Sequence, residues 1–124
     1  LAESTILTNL KYLSLERNSI GDEGVRSICL SPLFSHLTEL NLWKNEVGSE
    51  GAKAIADSLV LSKLQKLDLA KNKIGDDGGK ALAESQTLTS LKYVDLFGNG
   101  ISEEIQGIIK ESINFKNLQH LVLA

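Results

Sequence analysis

Cysteine is almost absent from this sequence: Cys29 is the only one among 124 residues. No intrachain disulfide can form, and no Asn-x-Ser/Thr acceptor for glycosylation occurs. Both absences favour a reducing compartment, so the expected location is cytoplasmic. Long hydrophobic runs are also missing. The longest are a few residues, against the roughly 20 needed to cross a bilayer, and no membrane partner is expected. No secretory signal opens the chain, whose first residue, Leu1, points to a native start further upstream. Positive charge is in deficit: 13 Lys and Arg stand against 16 Asp and Glu, for a net charge of −3 and a pI near 5.4. That is the wrong sign for affinity drawn from neutralising phosphates, so nucleic acid is not an expected partner.

What is present is ordinary in amount and unusual in order. Hydrophobic residues make up 42% and charged residues 23%, the usage of a soluble globular chain. The length suits a single domain over residues 1–124 with a continuous core. Within it Asn18, Asn45, Asn72 and Asn99 recur at intervals of 27, as do Leu10, Leu37, Leu64, Leu91 and Leu118. A fixed period decides the fold before local propensity does. Full repeats start at Leu10, Leu37, Leu64 and Leu91; a partial one occupies 1–9 and another starts at Leu118. The chain thus reads as a fragment of a longer array.

Aligned on the asparagines, the units read LKYLSLERNSIGDEG, LTELNLWKNEVGSEG, LQKLDLAKNKIGDDG and LKYVDLFGNGISEE. The LxxLxL stretch alternates apolar and polar with period 2, the pattern of a half-buried strand. After the Asn and a Gly-acidic turn the spacing becomes helical, as in Val25, Ile28 and Cys29, or Ala52, Ile55, Ala56 and Leu59. Each unit is therefore strand, loop, helix, loop.

These LxxLxLxxNxIGxEG units resemble the leucine-rich repeat family, in its ribonuclease-inhibitor-like form, over essentially the whole chain. Val94 stands for one Leu, and Ser102 and Ile105 for two Gly. The resemblance implies an α/β fold: a right-handed solenoid, parallel strands on the concave face and helices on the convex one. The spacing agrees, because strands sit about 4.8 Å apart while helices need 8–10 Å, so such a stack bends. The resemblance also implies protein binding. Some relatives activate a nuclear small GTPase, which makes activation in trans an alternative, with Arg17 and Arg26 the only arginines; neither matches a family catalytic motif.

The repeating residues are read as structural. A buried amide without partners costs on the order of 1–3 kcal/mol, so the Asn column should bond backbone of its own and the neighbouring repeat. Gly21, Gly48 and Gly75 permit an unusual turn, and Asp22, Ser49, Asp76 and Glu103 are expected to cap helix starts. The acidic turns lack the alternating ligands and closing Glu of a calcium loop, so no metal is expected. Ser4, Ser31, Ser58, Ser85 and Ser112 should bond terminal helical carbonyls.

Catalysis finds no vocabulary here. H-E-x-x-H, paired Cys, G-x-S-x-G and G-x-x-x-x-G-K are all missing, His36 and His120 fall in different columns, and Cys29 aligns with Ala56 and Ala83 on the inner helix face. No enzyme activity and no cofactor is expected.

Alternation also says which side chains leave the sheet. The third row is Tyr12, Glu39, Lys66, Tyr93 and His120; the fifth is Ser14, Asn41, Asp68, Asp95 and Val122; the seventh is Glu16, Trp43, Ala70, Phe97 and Ala124. Trp43 and Phe97, about 10 Å apart, should flank a shallow apolar notch over Ala70, and aromatic residues are enriched at binding hot spots. The competing reading is that Trp43 packs on Tyr12 or Lys66. Glu16, Glu39, Asp68 and Asp95 make the face acidic, Lys66 being the exception, while Arg17, Lys44 and Lys71 form a basic row beside it. The expected partner-binding residues are Trp43, Phe97, Tyr12, Tyr93, Glu16, Glu39, Asp68, Asp95 and Lys66, facing a protein with a basic patch beside an apolar plug. Self-association through uncapped ends is the remaining expectation, since repeat arrays need polar caps.

Overall fold

The computed structural model describes residues 10–116 and 118–123; the partial repeat expected over 1–9, Ser4 within it, and Ala124 lie outside them. Strands β1 (Tyr12–Ser14), β2 (Glu39–Asn41), β3 (Lys66–Asp68), β4 (Tyr93–Asp95) and β5 (His120–Val122) form one parallel sheet in chain order. Helices α1 (Gly21–Leu30), α2 (Ser49–Asp57), α3 (Gly75–Ala83) and α4 (Glu103–Lys110) carry the crossovers between successive strands. Pairing never slips: Leu13 faces Leu40, Leu40 faces Leu67, Leu67 faces Val94, and Val94 faces Leu121. A one-residue slip would turn every leucine outward, which fixes this register.

The core lies between sheet and helices. Leu37, Leu40 and Leu42, Leu64, Leu67 and Leu69, and Val94 and Leu96 are fully buried, and Val25, Ile55, Leu82 and Ile109 meet them from the helices. Val94 fills its leucine position without exposure. A further column, Phe34, Leu61, Leu88 and Phe115, plugs the space where each helix returns to the next strand.

The asparagines bind the turns to one another. Asn72 Oδ1 accepts from the Asn45 and Val47 amides at 2.9 and 3.0 Å, and its Nδ2 donates to the Leu42, Leu69 and Ala70 carbonyls. Asn45 and Asn99 repeat the pattern, taking Asn18 N and Ile74 N respectively. All three are buried, whereas Asn18 is exposed and, among the described residues, its side-chain amide reaches only the Glu16 carbonyl. The serine column is also an inter-repeat device: Ser58 Oγ donates to the Cys29 carbonyl at 2.8 Å and Ser85 Oγ to the Ala56 carbonyl at 2.5 Å, each in the last turn of the preceding helix. Among the described residues, every buried side-chain nitrogen and oxygen has a partner.

Helix starts depart from expectation. Asp22 and Asp76 do not cap their own helices; α1, α2 and α3 have no side-chain cap bond. Asp22 Oδ1 instead accepts from Gly48 N, and Asp76 Oδ1 from Ser102 N, both at 2.7 Å and both in the next repeat. Gly21 and Gly75 have left-handed φ of 63° and 69°, but Gly48 is extended, as is Ser102, whose hydroxyl caps α4 by accepting from Ile105 N. The turns therefore alternate with a period of two repeats. An Asp on one repeat clamps an extended turn on the next.

Candidate protein-binding surface

The sheet register places the third-row side chains shoulder to shoulder. Tyr12 is 54% exposed, and Tyr93 stacks on His120 with centroids 4.5 Å apart and planes 4° from parallel. Lys66 Nζ sits over the other flank of this stack, 4.9 Å from the Tyr93 centroid. Burial first, then the Asp95 and Asp68 carboxylates, raise the Tyr93 phenol above its usual value. Tyr12, Glu39, Asn41, Lys66, Asp68 and Tyr93 line a hollow of about 180 Å³ floored by Leu40. Five of the expected partner-binding residues thus converge.

Fifth-row residues have work inside the chain. Asn41 Oδ1, Asp68 Oδ1 and Asp95 Oδ1 each accept from the backbone amide two residues on, at 3.0 Å in all three cases. Such Asx turns hold the chain where it leaves the strand. Asn41 Nδ2 also donates to Glu16 Oε1 at 2.6 Å, tying that carboxylate down. Asp68, crowded by burial and by Asp95 and Glu16, has its carboxyl raised above 3.8 despite the Ala70 amide and Lys66 pulling the other way. Asp68 and Asp95 therefore offer a partner only the carboxylate oxygen left free by the turn.

In the seventh row Ala70 lies between the repeats that carry Trp43 and Phe97. Ala70 is 4% exposed, Trp43 is half-buried and Phe97 is 41% exposed. The Arg17 guanidinium covers the Trp43 ring, 4.8 Å from the centroid. Lys71 Nζ covers Phe97 in the same way at 5.1 Å. Each such contact is worth about 0.5–1 kcal/mol at an exposed site. Both pairs join the eighth position of one repeat to the seventh position of a later one, at the same offset in sequence, a signal that pairing the two rows would have found. The seventh row thus carries two cation-roofed aromatic rings, of which Phe97 is the more exposed.

One step further along, the chain leaves the sheet through loops whose backbone is left-handed at Arg17, Ser19, Lys44, Glu46 and Lys71, with φ between 51° and 63°. Arg17, Ser19, Lys44, Glu46, Lys71 and Lys73 line a cavity of about 580 Å³ along this edge. On the helix side, Arg26 borders an apolar groove with Leu30, Leu59 and Val60. Cys29 lies at its floor; burial pushes its thiol up to about 11, against a smaller lowering by the Ser58 hydroxyl, so it holds its proton. No helix among the described residues is long and apolar enough to cross a membrane.

A single parallel sheet in chain order, a helix on every crossover and an asparagine ladder between turns define a repeat solenoid whose open strand face displays variable side chains. The chain belongs to the leucine-rich repeat family: a family model described as Leucine Rich repeat matches residues 7–29, 35–56, 60–83 and 87–105. A search of the curated proteins finds no match. Repeats of this family are general protein-interaction modules.

Proposed function

We propose that this chain binds a partner protein on the concave, strand-bearing face, through Tyr12, Glu39, Lys66, Tyr93 and Phe97, with Asp68, Asp95, Glu16 and Trp43 shaping the site. The observation that carries this reading is the contrast between columns. The repeated Leu, Asn and Ser side chains of the inner repeats are buried and bonded within the solenoid, whereas Tyr12 and Phe97, 54% and 41% exposed, stand on the open face. Rings held by flanking cations and stacks lose little entropy on contact, which is what a binding anchor needs. With Glu39, Asp68 and Asp95 around them, they suit a partner presenting an apolar plug beside a basic patch. The activator alternative would place an arginine in a GTPase, yet Arg17 is held against Trp43 and Arg26 lies on α1, on the opposite side.

The test is affinity for a partner captured on the immobilised chain, measured with Tyr12→Ser plus Phe97→Ser and, separately, with the helix-side change Lys53→Ala. The face reading expects about a hundredfold loss for the first and less than about twofold for the second, with circular dichroism unchanged in both. Equal losses, or none for the face variant, would overturn it.

A further inference from the structure

We infer that the loop edge beside the strand face is a second binding element, a cradle for a short acidic peptide segment of a partner protein. The inference rests on the reading of the chain as a protein-binding module but uses a different surface. Four cations, Arg17, Lys44, Lys71 and Lys73, line the 580 Å³ cavity against one carboxylate, Glu46. Among the described residues none of them forms an ion pair, and the single salt bridge is Lys53 with Glu50, far away on α2. In a chain of net charge −3, with acids to spare, four unpaired cations around one hollow call for an anion from elsewhere.

Their placement is imposed by the backbone. Arg17 N, Lys44 N and Lys71 N donate to the Trp43, Ala70 and Phe97 carbonyls at 2.9, 3.1 and 2.7 Å, extending the sheet ladder by one rung. The left-handed φ at each of the three, 58°, 56° and 62°, then turns the chain at the same point in each repeat. The backbone positions that carry Arg17, Lys44 and Lys71 therefore stand about one strand spacing apart, near 4.8 Å. Arg17 and Lys71 are further fixed over Trp43 and Phe97, so less side-chain entropy remains to be lost on binding.

A row of cations across three repeats fits carboxylates along an extended chain and not one small anion at a focus. A long polyanion fits poorly, because Glu16, Glu39, Asp68 and Asp95 run parallel to the row on the neighbouring face and would repel strands spreading past it. A short acidic segment beside the basic patch expected for the concave face would match both stripes at once.

Fluorescence anisotropy with a fluorescein-labelled Asp-Gly repeat peptide at low ionic strength tests this. Binding by the native chain is expected to weaken at least tenfold in Lys44→Asn plus Lys73→Gln, where Asn tolerates the left-handed backbone, and to fall steeply with added salt. The charge-matched control Lys110→Gln plus Lys116→Gln should stay within about twofold. Loss of binding in the control, equal binding of an Asn-Gly peptide, full competition by inorganic phosphate at equal charge, tighter binding of single-stranded DNA, or no binding at all would each overturn the cradle. Tyr12→Ser plus Glu39→Gln separates the two readings: it should spare the peptide and weaken the protein partner, so either element can fail alone.

Discussion

The Arg17 guanidinium lies 4.8 Å from the centroid of the Trp43 ring, one repeat away. This contact couples the basic loop edge to the strand face and turns a surface tryptophan into a reporter of local charge, since Trp43 is the only one in the sequence. In Arg17→Gly the cation is removed without strain, because Gly98 already occupies the matching left-handed position of the fourth repeat. Iodide should quench Trp43 more strongly, relative to neutral acrylamide, in the native chain than in the variant, while stability falls by no more than about 1 kcal/mol. An unchanged iodide-to-acrylamide ratio would mean the guanidinium is not over the ring in solution.

Asn72 and Asn18 occupy one column and should behave differently. Replacing Asn72 by Ala strands the Asn45 and Val47 amides and the Leu42 carbonyl in the interior, while the Leu69 and Ala70 carbonyls keep the Asn99 side chain and the Lys44 amide as donors. At roughly 1–3 kcal/mol for each buried group left unpaired, the loss should exceed about 3 kcal/mol and lower Tm by roughly 10 °C or more. Asn18→Ala, exposed and, among the described residues, bonded through its side chain only to the Glu16 carbonyl, should change Tm by less than about 2 °C. Similar shifts for the two would sink the buried ladder.

Asp68 gives a pH dependence with a definite sign. Its carboxyl is raised in the folded chain, chiefly by burial, so its contribution is favourable below the unfolded value of 3.8 and is lost as pH rises through the folded value. At neutral pH the buried charge therefore costs stability. Asn41 shows that an amide in this column accepts the same turn bond at the same 3.0 Å. Asp68→Asn should raise Tm at pH 7, with the gain shrinking to nothing as the buffer is acidified past the carboxylate range. A Tm gain that persists in acid would point to a cause other than charge.

The 27-residue period made the strands, helices, core leucines and asparagine ladder legible in the sequence, because each of those features recurs in every unit. The candidate face was legible as rows but not as contacts. Asp68 and Asp95 looked like free acids, yet each is half engaged by its own backbone, since the sequence shows a carboxylate without showing which amide lies two residues ahead of it in space. In the seventh row the rings of Trp43 and Phe97 were legible but not the cations over them, since Arg17 and Lys71 reach each ring from the neighbouring repeat. Asp22 and Asp76 were misassigned to their own helices because a helix-start acid satisfies the capping rule in sequence, while the amides that actually reach them belong to the next repeat. The two-repeat alternation was present in the letters, Asp-Ser-Asp-Glu against Gly-Gly-Gly-Ser, and is hidden by aligning on what every unit shares.

Helix packing gives a paired test of that inter-repeat geometry. At Gly78 an added methyl would meet the Ile74 side chain, the Ala52 Cβ at 3.1 Å and the Ser49 Cα at 3.3 Å, so α3 lies against α2 through backbone that cannot retreat. At Gly107, on exposed α4, the same methyl would meet nothing. Gly78→Ala should therefore destabilise by on the order of 1–3 kcal/mol through overpacking. Gly107→Ala should stabilise by about 0.5–1 kcal/mol, because alanine loses less backbone entropy in a helix. Opposite signs in thermal unfolding are the expected result. If Gly78→Ala is neutral, the α2 and α3 axes stand further apart than these contacts require, and with the strand spacing fixed the strand face would be more sharply curved.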